Sequence, residues 1–438
     1  MLLATTSAAP AAASDVEDQA SPRRAVPDYD ARADPGADAG DVLLWVPRIL
    51  ASPLYLVSEY VLRRPIGWLI STIEQSGFAR ALLDFFTLEE RTGGFAPAGL
   101  LDYGFRVSGG FYVFFDDVGF EGHEIRLFAS TGGYDWISAT LADRYRLSEH
   151  AEISIRAHVV RRSDWLFGGI GWQTAESDRS RYQSDRQELT AVLEAEPYRA
   201  SRLVVTAGVR RVEIDRGTCC GDPALADLVR DGRASIPPGY GGYFAYLQRI
   251  DLAFDTRRPL PHAGHGIRIE GHVEHAFALA DPVASRWARY GGAIAGYLDV
   301  TGEHRVLGLA LYASFVDPLG TREVPFTELT VLGGKAPMRG YLEGRLSGRS
   351  AAAATLDYRW PIWVWLDGTF FVAAGNVFGP QLEDFAWDRL RISFGGGLRT
   401  NGRPDHSFDV MLALGSEPIV TGAALTSVRL FIGTSRGF

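Results

Sequence analysis

From about residue 98 onward the chain alternates apolar and polar residues with a period of two, in runs of roughly nine to thirteen residues. Ile153, Ile155, Ala157 and Val159 interleave with Glu152, Ser154, Arg156 and His158. Leu203, Val205, Ala207 and Val209 do the same against Arg202, Val204, Thr206 and Arg210, as do Ile267, Ile269 and Val273 against Arg268, Glu270, His272 and Glu274. Successive strand side chains point to opposite faces, so each run carries one apolar face and one polar face. A soluble sandwich alternates too. Here, however, the polar faces are rich in Arg, Glu and His, and the run length matches a hydrocarbon core crossed at barrel tilt. In lipid only closure satisfies every strand edge.

Strands are predicted near 99–107, 109–116, 123–130, 134–142, 150–161, 182–195, 201–213 and 243–256. The second half continues at 264–276, 286–299, 304–316, 352–361, 366–376, 388–400, 407–415 and 424–434. The fold class is therefore all-β: a closed antiparallel transmembrane β-barrel of about sixteen strands, the even number a bacterial outer-membrane barrel requires. Glycine at 49 residues and aromatics at 12%, with a mean hydropathy of −0.02, suit a wall whose two faces cancel. The charge of −9, from 44 basic and 53 acidic residues, excludes a nucleic-acid binder. Lys335 is the single lysine, and no polybasic run exists.

Residues 1–13 read as a signal-peptide remnant, with Ala11, Ala12 and Ala13 before Ser14 but no charged n-region. Residues 14–40 are charged, proline-bearing and aperiodic, as in a disordered linker. Residues 41–97 read as short amphipathic helices: prolines 47, 53 and 65 interrupt the apolar run, and its longest uncharged stretch, Ile49–Ser58, is too short to span. Trp68, Leu69 and Ile73, then Phe78, Leu82, Phe85 and Phe86, form an apolar face. That face could lie at the membrane interface, plug the barrel, or dock a periplasmic partner.

Few residues suggest chemistry. Cys219 and Cys220 could form a vicinal disulfide or a ligand pair, or remain inert loop thiols or a small staple. His262, His265, His272 and His275 make a poor metal site, because His272 and His275 fall on opposite strand faces. No G-x-S-x-G, H-E-x-x-H or P-loop spacing occurs. No catalytic residue, metal or cofactor is expected.

The long loop 317–351 is the most informative segment. After Gly333 and Gly334 it carries Met338, Arg339, Gly340 and Tyr341, which resemble the (V/I)RG(F/Y) motif of BamA/TamA-type assembly and translocation barrels, the bacterial surface antigen family. In that family the motif tips the sixth extracellular loop, folded into the lumen. Asp255-Thr256-Arg257 with Pro259, Pro261, Gly264 and Gly266, and the turn Phe167-Gly168-Gly169-Ile170-Gly171, resemble further elements. So do Asp357, Arg359 and Pro361 of an E-x-R-x-P strand, and Phe371, Gly375 and Asn376 of an F-x-D-x-G-N strand.

The resemblance covers roughly 98–438 and implies an outer-membrane barrel acting on protein or lipid substrates at the seam between its first and last strands. Unfolded outer-membrane proteins, outer-membrane lipids or a periplasmic partner held by 41–97 would be its partners. A terminal aromatic such as Phe438, just after the last strand, is what outer-membrane barrels commonly carry for recognition by the assembly machinery. Gly99 and Gly104 in the first strand, with Gly433 and Gly437 in the last, are compatible with a loose seam.

Asp357 and Arg359 share the lumen-facing parity of their strand, with Tyr358, Trp360 and Ile362 facing lipid, so Arg339 could bond Asp357. Two departures stand out. Ala373 replaces the family's aspartate, and Asp367 lies about 20 Å away along the strand. Residues 14–97 are too short for a string of polypeptide-transport-associated (POTRA) domains, which puts recruitment of clients by that route in doubt. A passive or gated pore, a structural barrel, or an anchor for a separate periplasmic chain remain alternatives.

Overall fold

The computed structural model describes residues 92–257, 264–300, 304–335, 337–363, 366–400 and 407–435, together with 64, 65, 68 and 85–87. The readings of residues 1–40, of most of 41–91, of His262 and of Phe438 lie outside the described residues.

Sixteen antiparallel strands close into one barrel. The first eight are β1 (Gly93–Asp102), β2 (Ser108–Phe115), β3 (His123–Gly133), β4 (Trp136–Ser148), β5 (Ala151–Phe167), β6 (Ser180–Ala195), β7 (Ser201–Arg216) and β8 (Tyr243–Asp255). After β9 (Gly266–Ala278), β10 (Arg286–Asp299) and β11 (Val306–Pro318) comes the long loop, whose own short strands β12 (Thr330–Leu332) and β13 (Leu346–Gly348) pair with each other. The barrel resumes with β14 (Ser350–Trp363), β15 (Leu366–Phe378), β16 (Arg391–Thr400), β17 (Ser407–Ser416) and β18 (Leu425–Ser435). Each barrel strand pairs with its neighbours in order, and β18 meets β1.

The outer face is the apolar parity. Ile153, Ile155, Val159, Ile267, Ile269, Val273 and Val428 are all exposed on the bare protein, while Ser154, Val160 and Arg429 on the alternate parity are buried inside. Such an apolar band is what lipid covers, and none of the described helices is long and apolar enough to cross a membrane. Short turns such as 149–150 and 196–200 lie at one rim and long loops such as 217–242 and 319–349 at the other, which sets the short-turn rim toward the periplasm. Strands β5, β6 and β7 reach 17, 16 and 16 residues, longer than a span needs, so they extend the wall beyond the membrane.

Three details differ from the sequence reading. The first strand starts at Gly93 and ends at Asp102 rather than running 99–107; positive-φ Gly104 turns the chain there, and 93–97 are strand rather than helix. A 3-10 turn, Trp387–Arg389, occupies the start of the run expected at 388–400. Ile362 is buried instead of facing lipid, because the β14–β15 ladder shifts register between Pro361 and Trp363 and inverts the parity there.

The apolar core sits inside the barrel and is built by the loop. One cluster packs Val324, Phe326 and Leu329 against Tyr182, Leu247, Trp287 and Val316; another packs Leu332, Met338, Tyr341 and Leu346 against Ala351, Phe371, Ala373 and Ala413. The loop thus fills much of the lumen. A polar cavity of about 370 Å³ remains against β2–β7, lined by Ser130, Ser138, His158, Arg162, Glu188 and Arg210 among others.

Candidate functional site

The loop is fixed at its tip by the Met338–Tyr341 motif, one residue at a time. Met338 is fully buried and takes a left-handed backbone (φ 65°) that points the chain back into the lumen. Arg339 Nη1 donates to Asp357 Oδ1 at 2.9 Å, and its guanidinium lies 4.8 Å from the Phe371 ring centre. The structure therefore brings together Arg339, Asp357 and Phe371.

Gly340 has no room for a side chain: a Cβ there would collide with the Leu414 carbonyl oxygen. Its backbone N–H donates to Ser393 Oγ at 2.8 Å, and its carbonyl accepts from Ser427 Oγ at 2.8 Å. The Tyr341 hydroxyl donates to the Ser416 carbonyl at 2.6 Å and lies 3.1 Å from that of Ile392. Burial pushes this phenol up to about 12. The Tyr341 ring occupies the space beside Gly415, where a Cβ would come within 2.6 Å of it.

Ala373, in place of the family's aspartate, lies in the apolar cluster with Met338 and Tyr341. Arg339 pairs instead with Asp357 on β14. Gly375 packs closely on Ala353 of β14, and Asn376 is fully buried, with Nδ2 donating to the Arg389 carbonyl at 2.7 Å. Arg359 lines a lumen cavity instead of joining the Arg339–Asp357 pair. Asp255 and Arg257 pair with each other at the periplasmic rim.

Sequence reasoning missed three further anchors. The largest is Glu328, 1% exposed in the loop, which accepts from Arg210 at 2.9 Å and Arg289 at 3.1 Å, with the Tyr243 hydroxyl also bonded to it. Burial raises a carboxyl's pKa, but Arg210, Arg289 and Arg186 reverse the effect and hold Glu328 well below the ordinary carboxylate range. The second anchor is the turn at 167–171: Gly168 N–H donates to Gly344 O at 3.0 Å, and Gly171 N–H to Ser347 O at 2.8 Å. The third is Arg345, 1% exposed, which bonds Glu176 at 2.9 Å and the Thr174 carbonyl at 2.9 Å. No local signal marked the two charges for burial: Glu328 stands between Thr327 and Leu329 and Arg345 between Gly344 and Leu346, while the turn at 167–171 stood out only by its resemblance to a family element.

The seam between β1 and β18 is the weakest ladder. Among the described residues Leu100–Asp102 pair with Phe431–Gly433 and Tyr103 N–H donates to Leu430 O at 2.8 Å, whereas β1 pairs with β2 from Gly93 to Leu100 and β17 pairs with β18 along its length. Among the described residues, Gly93–Gly99 have no partner in β18; Thr87 instead bridges Gly94, and Phe85, Phe86 and Phe95 form an edge-to-face trio. One buried side chain spans the seam. Arg429 donates to both oxygens of Asp102, at 2.8 and 2.7 Å, and its remaining nitrogen bonds the loop carbonyls of Gly334 and Arg339. Seam and loop are thereby joined through one guanidinium.

Cys219 and Cys220 are bonded to each other in the 217–242 loop. Among the described residues, no group of three or more His, Cys, Asp or Glu side chains is placed to hold a metal.

A closed sixteen-strand antiparallel barrel with a long loop folded into its lumen, tipped by Arg339, Gly340 and Tyr341, has the architecture of outer-membrane barrels that insert or transport proteins. Residues 121–402 match the Omp85 superfamily domain, and the chain belongs to that superfamily. It lies in the bacterial outer membrane.

Among solved structures it is similar to BamA from Haemophilus ducreyi lacking POTRA domains 1–3, at 16% identity and a TM-score of 0.54 over 78% of this chain and 70% of that one. CdiB from Acinetobacter baumannii matches at 12% identity, TM-score 0.48, over 78% of this chain and 60% of that one. CdiB from Escherichia coli matches at 11% identity, TM-score 0.48, over 80% and 63%. The chain thus spans about three-fifths of the two CdiB structures. Curated proteins yield no match in sequence.

Proposed function

We propose that the barrel inserts or passes protein chains through the β1–β18 seam, while the docked loop keeps the rest of the wall rigid. The observation that carries this is the short ladder at the seam, which among the described residues joins Leu100–Asp102 to Phe431–Gly433 with one further bond from Tyr103 N–H to Leu430 O. Unpaired strand edges are costly in lipid, where no water replaces the missing hydrogen bonds. An incoming strand that supplies donors and acceptors to the β1 edge beyond the Thr87–Gly94 bridge, from Phe95 to Gly99, relieves that cost by the pairing chemistry of β-augmentation.

Depletion of the protein in its native host, followed by outer-membrane protein and lipid profiling, tests the reading. It predicts a fall in a subset of outer-membrane proteins; an unaltered proteome contradicts it. The polar cavity of about 370 Å³ supports a second reading, a gated pore. That reading predicts bilayer conductance that changes with Arg339→Ala, and silence in both variants eliminates it.

A further inference from the structure

The lumen holds a small cavity of about 40 Å³ on the periplasmic side of the loop tip, near the seam. Five cations line it: Lys335 and Arg339 from the loop, Arg359 from β14, Arg399 from β16 and Arg429 from β18. The carboxylates lining it are Asp367 and Asp409. Three of the guanidiniums have counter-charges. Arg339 pairs with Asp357, Arg399 with Asp409 at 2.8 Å, and Arg429 with Asp102.

Arg359, half-buried in the lumen wall, makes no hydrogen bond or direct ion pair among the described residues, and the carboxylate whose charge acts on it, Asp357, is already bonded to Arg339. Directly across the ladder stands Thr369, which also lines the cavity. Its Oγ1 is buried and likewise has no hydrogen-bond partner. Two neighbouring orphans, one a cation, thus border one cavity. Leaving both unsatisfied is costly. A water molecule would satisfy the hydroxyl and some N–H groups but would not balance the guanidinium charge.

We propose that this cavity is a binding site for one phosphoryl group, held by Arg359 and Thr369 with Lys335, Arg339 and Arg399 around it. Guanidinium forks match phosphate and carboxylate oxygens alike. Here the donors come from the loop and from three different strands rather than from one plane, which favours a tetrahedral oxyanion over a flat carboxylate. With Asp102, Asp357, Asp367 and Asp409 set against the five cations, the pocket keeps a net positive charge that favours an anion. Such an anion would tie the loop tip to β14, β15 and β16 next to the seam. Its source is either free phosphate or the phosphate of a lipid entering from the membrane.

The test is equilibrium dialysis of radiolabelled inorganic phosphate against the full chain in detergent micelles at 0.15 M NaCl. Saturable binding of one phosphate per chain is expected, weakened tenfold or more by Arg359→Gln and several-fold by Thr369→Val. Heat-modified electrophoretic mobility reports whether each variant is folded; should Arg359→Gln fail to fold, the isosteric Thr369→Val decides. Competition by short-chain phosphatidic acid assigns the site to a lipid phosphate, and its absence, with phosphate still bound, to the free ion. Unsaturable binding, or equal affinity in a folded variant, overturns the proposal.

Discussion

Replacing Glu328 with Gln isolates the contribution of the loop's deepest anchor. The carboxylate is 1% exposed and lies within 3.1 Å of both Arg210 and Arg289. Removing one partner of a buried pair costs about 3–5 kcal/mol, because the remaining charges stay desolvated. Gln keeps an acceptor oxygen and the side-chain volume, which places the cost at the low end, about 3 kcal/mol. That corresponds to a roughly 140-fold larger population of the undocked loop.

Hydrogen exchange of the amides from Phe326 to Leu332 reads this population directly. Phe326 N–H donates to Pro238 O of the 217–242 loop at 2.8 Å and is protected only while the loop is docked, whereas Glu328 N–H donates to Pro325 O within the loop's own 3-10 turn. Exchange there should accelerate by about two orders of magnitude, with strands β2–β5 unchanged. Equal exchange in wild type and variant would refute the reasoning. Uniform acceleration around the whole barrel would refute it too, since the anchor would then be holding the barrel and not the loop.

The remaining predictions concern the same loop. Because the Glu328 carboxyl is depressed, its stabilisation is complete above the ordinary glutamate pKa of about 4.3 and is lost only as pH falls through the depressed value. Exchange of 326–332 should therefore stay slow from pH 7 to about pH 4.5, and rapid opening near pH 5 would contradict this. A double-mutant cycle of Arg339→Ala and Asp357→Asn, read on exchange of residues 338–342, should give a coupling of about 1–3 kcal/mol; additive effects would mean that the 2.9 Å contact carries nothing. Gly340→Ala should undock the tip without touching the Glu328 anchor, since its new Cβ meets the Leu414 carbonyl. Normal protection of Tyr341 in that variant would show that the backbone can yield.

The barrel was legible because alternation is a local property. Val428 and Leu430 face lipid and Arg429 faces the lumen whatever happens elsewhere in the chain. The Arg339–Asp357 contact was also within reach, since parity placed Asp357 in the lumen and charge required a partner. Glu328 was not. It joins residues more than 80 positions away on β7 and β8, and no local pattern distinguishes a loop glutamate destined for burial from one left in solvent. The Asp102–Arg429 bridge spans 327 positions and exists only once the barrel has closed. The start of β1 was misplaced because Gly93–Pro97 (GGFAP) lacks alternation and begins with two glycines; pairing with Phe111–Phe115 makes it a strand.

Locking the seam tests the central claim most directly. Leu100 pairs with Gly433, and a Cβ at Gly433 would sit 2.9 Å from the Leu100 side chain, so Leu100→Cys with Gly433→Cys places two thiols within bridging reach. The variant, oxidised in proteoliposomes, is offered a urea-denatured outer-membrane protein, and insertion is followed by protease protection. The account predicts that insertion ceases in the oxidised barrel and returns on reduction, while each single variant inserts normally under both conditions. Undiminished insertion through the cross-linked barrel would contradict it.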